Sequence, residues 1–401
     1  MRLGLNLPWI SCGHDFGRRP PPWNGGSEPP VRDWAALGRE LAEWRRDLGV
    51  EVVRFWVLAA GVNYPVGEDP TGRFELVPMR PEDALLGRGF PRIRAALVRS
   101  TWKRSERFRL GGAPLPALTP AFLSDFEALF RVAGEAGVRL MPSLCSFEFF
   151  HPAEAQGPGV ISRGRGAFVF GDGGDDRAQI ERFFDATLEP LLDIAAHHAE
   201  ALEAFEVINE PDWSVEGGPM HARFEKRSVR IMPKTVAAPM MSRFLERGVE
   251  RIVARDLRAS IGFKLADPRW LDDRVRARLA AWGASGRYLH QVHHYPSLYE
   301  PWLLRPERSL PIRPCIVGEM PTKQAEPLGV GHGWWHERLR DIRRAADPDQ
   351  FLQRRLEICE ERGYPLALVW AAKSGDTMTD WSPRTRAQVG RFARGANSLH
   401  P

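Results

Sequence analysis

The stretch that organises this sequence is Phe205-Glu206-Val207-Ile208-Asn209-Glu210-Pro211, an apolar run that ends on a glutamate. A second run of the same form, Pro314-Cys315-Ile316-Val317-Gly318-Glu319-Met320, ends on Glu319. A carboxyl group at the end of a buried strand costs free energy unless it is paired or used. The carboxyl ends of the strands in a parallel barrel meet at one mouth. We therefore expect Glu210 and Glu319 to face a shared site.

Eight short apolar runs rich in β-branched residues predict eight β-strands, and amphipathic segments with helical spacing alternate with them. This alternation predicts an α/β fold, namely a closed (β/α)8 TIM barrel. No GxGxxG motif follows the first strand, which argues against a dinucleotide-binding sheet. The predicted strands are Leu3–Leu7, Val52–Leu58, Val138–Leu144, Ala204–Asn209, Ser260–Leu265, Tyr288–His294, Pro314–Gly318 and Leu366–Ala371. The predicted helices are Val31–Leu48, Ala121–Ala136, Arg177–Glu200, Met240–Asp256, Asp347–Arg362 and Pro383–Arg394.

The 401 residues suit a single (β/α)8 catalytic domain over 1–401 with long insertions, because such a barrel needs about 250 residues and tolerates additions. Uneven spacing of the predicted strands places these insertions at about 63–118, 151–176, 211–235 and 321–346. The first contains a candidate helix at Phe90–Arg109. All four follow the carboxyl ends of strands, so we expect them to form the walls of a cleft on the C-terminal face.

Composition excludes several classes of protein. The net charge of +5, from 56 basic and 51 acidic residues, does not indicate nucleic-acid binding. No apolar stretch approaches the roughly 18 residues of a membrane span, and no signal peptide precedes the first strand, so the sequence predicts a cytoplasmic protein. The cysteines, which form no CxxC pair, predict buried thiols rather than a zinc site; they are Cys12, Cys145, Cys315 and Cys359.

The order of the strand-end residues resembles that of clan A glycoside hydrolases, and most nearly that of the cellulase-like family 5. In that clan an acid/base glutamate ends strand four after an asparagine, as in Asn209-Glu210-Pro211, and a nucleophile ends strand seven, as in Gly318-Glu319. Family 5 also has an arginine on strand two, a His-x-Tyr on strand six and a tryptophan after strand eight. Arg54, His293-His294-Tyr295 and Trp370 correspond to these.

The resemblance implies a retaining glycoside hydrolase that cleaves a β-glycosidic bond in an oligosaccharide or glycoside by double displacement. It implies a carbohydrate partner and no cofactor or metal. Glu319 would be the nucleophile, and Glu210 the proton donor, with a pKa that the charge on Glu319 raises. The substrate-binding residues would be Arg54, Asn209, His293, Tyr295 and Trp370. In this reading His293 bridges the two glutamates, and Trp370 forms a floor for the sugar.

Three other readings stay open at this point. A transglycosylase would use the same two glutamates, since only the acceptor differs. A carbohydrate-binding barrel that has lost catalysis would keep the fold. A metal-dependent hydrolase would use His293, His294 and carboxylates, but such barrels usually have a His-x-His on the first strand, which Leu5-Asn6-Leu7-Pro8-Trp9 lacks. The particular sugar, the choice between exo and endo action and the oligomeric state do not follow from the sequence.

Overall fold

Eight parallel strands close into a barrel in the computed structural model of the chain. The structure describes residues 1–8, 10, 15–17, 33–59, 75–78, 106–111, 117–150, 153–157, 160–163, 176–215, 236–264, 268–294, 312–322, 351–373 and 380–398. Within these ranges the strands, in chain order, are β1 (Arg2–Asn6), β2 (Val50–Trp56), β3 (Glu75–Pro78), β4 (Glu106–Gly111), β5 (Arg139–Ser146), β6 (Ala153–Gly157), β7 (Val160–Arg163), β8 (Phe205–Asn209), β9 (Ala259–Phe263), β10 (Tyr288–His293), β11 (Cys315–Pro321) and β12 (Leu366–Trp370).

The barrel follows the order β1-β2-β5-β8-β9-β10-β11-β12 and closes by pairing of β12 with β1. All eight predicted strands are confirmed, each with ends displaced by only a few residues. The predicted (β/α)8 fold is therefore confirmed. The described α-helices are α1 (Trp34–Leu48), α2 (Pro120–Glu135), α3 (Asp176–His197), α4 (Ala238–Ala254), α5 (Asp273–Ala284), α6 (Phe351–Glu361) and α7 (Pro383–Ser398).

Six of these helices were predicted, and α5 was not. Local sequence signals account for the ends of α1: the Asp33 side chain accepts a hydrogen bond of 2.8 Å from the Ala36 N–H, and Gly49 ends the helix with a positive φ of 68°. The helix buries Leu37, Leu41 and Trp44 against the barrel core, as their spacing predicts. The buried face of α5 is smaller, because it consists only of Val275, Leu279 and Gly283.

Two of the insertions pair with each other, which the sequence did not indicate. Strands β3 and β4 from the first insertion and β6 and β7 from the second form a four-stranded antiparallel sheet in the order β3-β4-β6-β7. The candidate helix at Phe90–Arg109 is wrong at its C-terminal end, because Glu106–Gly111 is a strand. The rest of that candidate lies outside the described residues.

The barrel interior changes from apolar to polar toward the carboxyl ends of its strands. Seven apolar side chains fill the lower interior: Val52, Met141, Ala204, Leu289, Ile316, Leu366 and Leu368. On four of these strands a fully buried polar residue comes two positions later; these residues are Arg54, Ser143, Glu206 and Gln291. A polar layer at this depth lies directly beneath the face where barrel enzymes keep their sites.

Two simpler predictions concern the rest of the chain. Cys145, Cys315 and Cys359 are buried thiols, as predicted, while Cys12 lies outside the described residues. Among the described helices, none has the length and apolar character that crossing a membrane requires.

Candidate active site at the carboxyl ends of the barrel strands

Arg54 is the centre of the polar layer inside the barrel. Its side chain is 0% exposed. Its Nε and Nη2 donate hydrogen bonds of 2.7 Å to the two carboxylate oxygens of Glu206, and Nη1 donates one of 2.8 Å to Oε1 of Glu319. The side-chain oxygens of Asn6 and Asn209 accept further bonds of 2.8 and 2.6 Å. Burial alone would lower the pKa of Arg54, but the two carboxylates raise it above its ordinary value.

Glu206 is a buried carboxylate that the sequence analysis passed over. Besides Arg54, it accepts hydrogen bonds from Ser143 Oγ, at 2.7 Å, and from Gln291 Nε2. Two glycines make room for this network. A Cβ on Gly318 would lie 1.9 Å from Gln291 Oε1, and one on Gly262 would lie 2.9 Å from Glu206 Oε1. The detectable signal was a charged residue in the middle of an otherwise apolar strand, which must be paired when buried.

An irregularity in β8 allows Glu206 and Asn209, which are three positions apart, to contact the same residue, Arg54. Strict alternation would send the side chains of Glu206 and Asn209 to opposite faces. The register of the β8–β9 pairing shifts between these two residues, and both contact Arg54. Glu210 then adopts a left-handed conformation, with φ 51° and ψ 53°, before a short 3₁₀ turn at Pro211–Trp213. Such backbone strain in a non-glycine residue is typical of functional sites.

Glu210 is buried, and three side-chain nitrogen atoms lie within hydrogen-bond distance of its carboxyl group. Its Oε1 lies 2.9 Å from His293 Nδ1 and 3.1 Å from Lys264 Nζ. Its Oε2 accepts a bond of 2.7 Å from Trp213 Nε1. Lys264 directly follows β9 and was missed by the sequence analysis, although it shows the same signal as the glutamates: a charged residue at the carboxyl end of a buried run.

The prediction of a raised pKa for Glu210 is wrong in this structure. Burial does raise the pKa of this carboxyl group, but the charge of Lys264 and the hydrogen bond and charge of His293 outweigh it and lower the pKa well below the ordinary value. The negative charge of Glu319 alone favours a raised pKa for Glu210, but the approach of Lys264 is not visible in the sequence. Glu210 is therefore a carboxylate in this arrangement.

Glu319 also lies close to His293. His293 Nδ1 is 3.4 Å from Glu319 Oε1, so this one ring nitrogen approaches an oxygen of each glutamate. One ligand atom from each of Glu210, His293 and Glu319 lies within 4.8 Å of the others. The structure thus brings together Glu210, Glu319, Arg54, Asn209 and His293.

A second buried carboxyl group, that of Asp212, connects two segments of the site through its hydrogen bonds. Asp212 is fully buried, and it accepts hydrogen bonds of 2.7 Å from the backbone N–H of Lys264 and 2.9 Å from Trp270 Nε1. Burial raises the pKa of Asp212 to about 6, against the opposing effect of these donors. Its position in the turn that follows Glu210 couples that turn to the end of β9.

The remaining candidates lie at the rim or outside the described part of the chain. Trp370 is half-buried and packs against Trp56, with ring centroids 5.4 Å apart and planes at 43°. His294 is buried, and burial, with Arg355 and Lys264 nearby, lowers the pKa of its imidazole well below the ordinary value. Tyr295 falls outside the described residues, so its predicted role stays a prediction.

The cluster of Glu210, His293 and Glu319 has the residue types of a metal site but fits a cation poorly. The glutamate oxygens near His293 Nδ1 are Oε1 of each residue, and both already face positive groups, Lys264 Nζ at 3.1 Å and Arg54 Nη1 at 2.8 Å. A divalent ion would be repelled by both side chains at short range. The donor set therefore favours a metal-independent site.

Comparison with known proteins supports the fold through structure rather than sequence. No protein-family model matches the sequence, and no curated protein matches it. Solved structures do match over nearly the whole chain. The β-mannanase of the blue mussel Mytilus edulis is 14% identical, with 98% of this chain and 92% of that chain covered and a TM-score of 0.56.

The endo-1,4-β-mannanase of Eisenia fetida is 17% identical over 98% of this chain and 90% of that one, with a TM-score of 0.59. That of Rhizomucor miehei is 12% identical over 99% and 95%, with a TM-score of 0.52. The chain has the barrel fold of these mannanases. The resemblance to clan A glycoside hydrolases is thereby confirmed at the level of the fold.

Proposed function

We propose that the protein is a retaining glycoside hydrolase that cleaves a β-glycosidic bond in an oligosaccharide or glycoside by double displacement. The observation that carries this proposal is the pair of buried carboxyl groups, Glu210 and Glu319, bridged by His293 at the carboxyl ends of β8, β10 and β11. Two carboxyl groups facing one cleft are what glycoside hydrolysis requires. The mannanase-like fold supports the same class.

The surroundings of each glutamate support its proposed role. Glu319 acts as the nucleophile, because Arg54 holds its oxygen in place and stabilises its charge. Glu210 acts in the second step, where its carboxylate takes a proton from the attacking water. Asn209 binds the sugar 2-hydroxyl through its amide nitrogen, since its oxygen already accepts from Arg54. The Trp370 ring forms the apolar floor of the subsite, and Tyr295 helps to orient Glu319.

The separation of the carboxyl groups supports retention over inversion. Oxygens of Glu210 and Glu319 lie within 4.8 Å. Retaining enzymes hold their carboxyl groups about 5–5.5 Å apart, whereas inverting enzymes need about 6.5–9.5 Å to admit a water molecule.

A mechanism-based label tests the proposal directly. The wild-type protein is incubated with activated 2-deoxy-2-fluoro-β-glycosides, and β-mannosides come first because the structural neighbours are mannanases. We expect intact mass to rise by one fluoroglycosyl group and peptide mapping to place it on Glu319. The Glu319→Gln variant is the matched control and should stay unlabelled. A label on another residue, or none from any sugar of the panel, contradicts the proposal.

Three further measurements separate the alternative functions. A transglycosylase forms the adduct but passes the sugar to an added acceptor faster than to water, which mass spectrometry of the products reveals. A carbohydrate-binding barrel binds oligosaccharides, seen by calorimetry, without any adduct. A metal-dependent hydrolase loses activity with a chelator and regains it with a divalent ion.

A further inference from the structure

Lys264 is fastened beside Glu210 by both its side chain and its backbone. Its Nζ lies 3.1 Å from Glu210 Oε1, and the side chain is 17% exposed. Its backbone N–H donates to Asp212, two residues after Glu210. Asp212 is held in turn by Trp270. The backbone of Lys264 is therefore anchored to the turn that follows Glu210, which keeps its ammonium group within reach of Glu210.

Both oxygens of Glu210 accept hydrogen bonds, one from Lys264 and the other from Trp213, which suits a carboxylate. Oε1 faces Lys264 and His293, and Oε2 faces Trp213. A protonated carboxyl group carries an O–H donor on one oxygen. On Oε2 of Glu210 that O–H would compete with the Trp213 N–H, and on Oε1 it would compete with the Lys264 ammonium group. Proton donation to a leaving oxygen requires this arrangement to break.

The charges around Glu210 also favour its ionised form. Charged and titratable groups reach the site from the elements packed around it: Lys264 after β9, His293 on β10, Glu319 on β11, Arg54 on β2 and Asp212 in the turn that follows Glu210. Arg54 bonds to Glu319 and not to Glu210, so Lys264 is the permanent cation in contact with Glu210 among the described residues. Burial raises the pKa of Glu210, but Lys264 and His293 lower it further than burial raises it.

We propose that Lys264 is a positioning residue that holds Glu210 as a carboxylate, so that the site acts on glycosides whose leaving groups depart without a proton, such as aryl glycosides and glycosyl esters. This inference rests on the proposed function and narrows its substrate class. In the first step a Glu319 oxygen bonds to the anomeric carbon while the bond to the leaving oxygen breaks. The leaving group keeps the electron pair and departs as an anion.

The second step uses Glu210 in the form that Lys264 favours. Water attacks the anomeric carbon, Glu210 takes the proton that the water loses, and the bond to Glu319 breaks to release its carboxylate. Glu210 then passes the proton to solvent, and the Lys264 ammonium group restores the starting arrangement. The arrangement thus favours Glu210 as a general base in the second step over Glu210 as a general acid in the first.

The test measures kcat/KM for one sugar carrying leaving groups from 2,4-dinitrophenol to methanol, as a function of pH. For the wild-type protein we expect a steep dependence on leaving-group acidity at neutral pH. We also expect the rate on the methyl glycoside to rise as pH falls, because acid protonates Glu210. In Lys264→Met the pKa of Glu210 rises, so this limb moves to higher pH. The ratio of the dinitrophenyl to the methyl rate should then fall by about 10- to 100-fold.

The controls keep the inference falsifiable. Lys264→Arg retains the charge and should keep the wild-type ratio, and because a ratio of rates is used, partial unfolding of either variant cancels. A shallow leaving-group dependence in the wild type overturns the inference even if both variants fail to fold. So does a Lys264→Met ratio equal to that of the wild type. Absence of the fluorosugar adduct on wild-type Glu319 refutes the proposed function instead, so the two failures are distinguishable.

Discussion

The two halves of the candidate site hold their glutamates in different ways. Glu319 is bonded to Arg54, whose side chain is fully buried and makes five hydrogen bonds inside the barrel. Glu210 is bonded to Lys264, which is 17% exposed and follows a strand at the rim. Arginine stays charged and fixed in direction, whereas lysine is a mobile point charge. Arg54 therefore supplies a fixed positive charge to Glu319, whereas a bound substrate can displace the positive charge of Lys264 from Glu210.

Removing the nucleophile is the most severe test of this difference. Glu319→Ala should lower kcat/KM at least about 10⁴-fold on every glycoside, whatever the leaving group, because no group remains to form the glycosyl intermediate. Added azide should restore turnover and give a glycosyl azide of inverted anomeric configuration, identified by NMR. Glu135→Ala on the exposed end of α2 is the control and should keep the wild-type rate. An azide product of retained configuration would reverse the assignment of the two glutamates.

Changing the buried cation should affect stability more than any change at the rim. Arg54→Met leaves Glu206 and Glu319 without their partner, so we expect the free energy of unfolding to fall by about 3–5 kcal/mol, measured by denaturant titration. Adding Glu206→Gln to this variant should recover part of the loss. Arg139→Met is the matched control, because Arg139 is 55% exposed and lies 3.4 Å from Glu203; it should cost about 1 kcal/mol or less. Equal losses in the two variants would remove the contrast between the halves.

Glu210→Ala should show a different kinetic signature from Glu319→Ala. Without its base the second step slows by about 10²- to 10⁴-fold, so the glycosyl intermediate accumulates. A dinitrophenyl glycoside should then give a burst of phenolate followed by slow turnover. Azide should restore turnover and give a product of retained configuration, the opposite of the Glu319→Ala result. A linear time course without a burst would place the function of Glu210 outside the second step.

The smallest expected effect concerns the rim. Trp370 is half-buried beside Trp56, where its ring is available to the apolar face of a pyranose. Trp370→Ala should raise KM about tenfold while changing kcat less, as steady-state kinetics on oligosaccharides will show. Trp282→Ala is the control, since Trp282 stacks on Arg278 on α5. A loss confined to kcat would instead mean that Trp370 positions the reacting groups.

Sequence patterns predicted the barrel because each of its strands is a continuous apolar run, buried on both faces. They did not predict the antiparallel sheet, whose strands such as β3 and β7 are four residues long and read as parts of loops. The positions of Glu210 and Glu319 followed from the strand ends and from the resemblance. The presence of Glu206 in the same network did not, because its bond to Arg54 joins side chains that are 152 residues apart in the chain.

The wrong pKa direction for Glu210 shows where sequence reasoning ends. The effect of burial on a carboxyl group follows from a strand-end position alone. The effect of Lys264 depends on a side chain 54 residues away in the chain, and its backbone is placed near Glu210 by the bond to Asp212. A local pattern contains no information on that approach, so the net result required the three-dimensional arrangement.

Glu206 has a consequence for charge balance during the proposed reaction. When Glu319 becomes an ester, Arg54 loses the charge of that carboxylate, and a lone buried cation would then raise the energy of the intermediate. Glu206 keeps both of its bonds to Arg54 at 2.7 Å and takes no part in the chemistry. Arg54 and Glu206 thus remain a neutral pair whether or not Glu319 carries its negative charge. A non-reacting carboxylate inside the barrel lets the reacting one give up its charge.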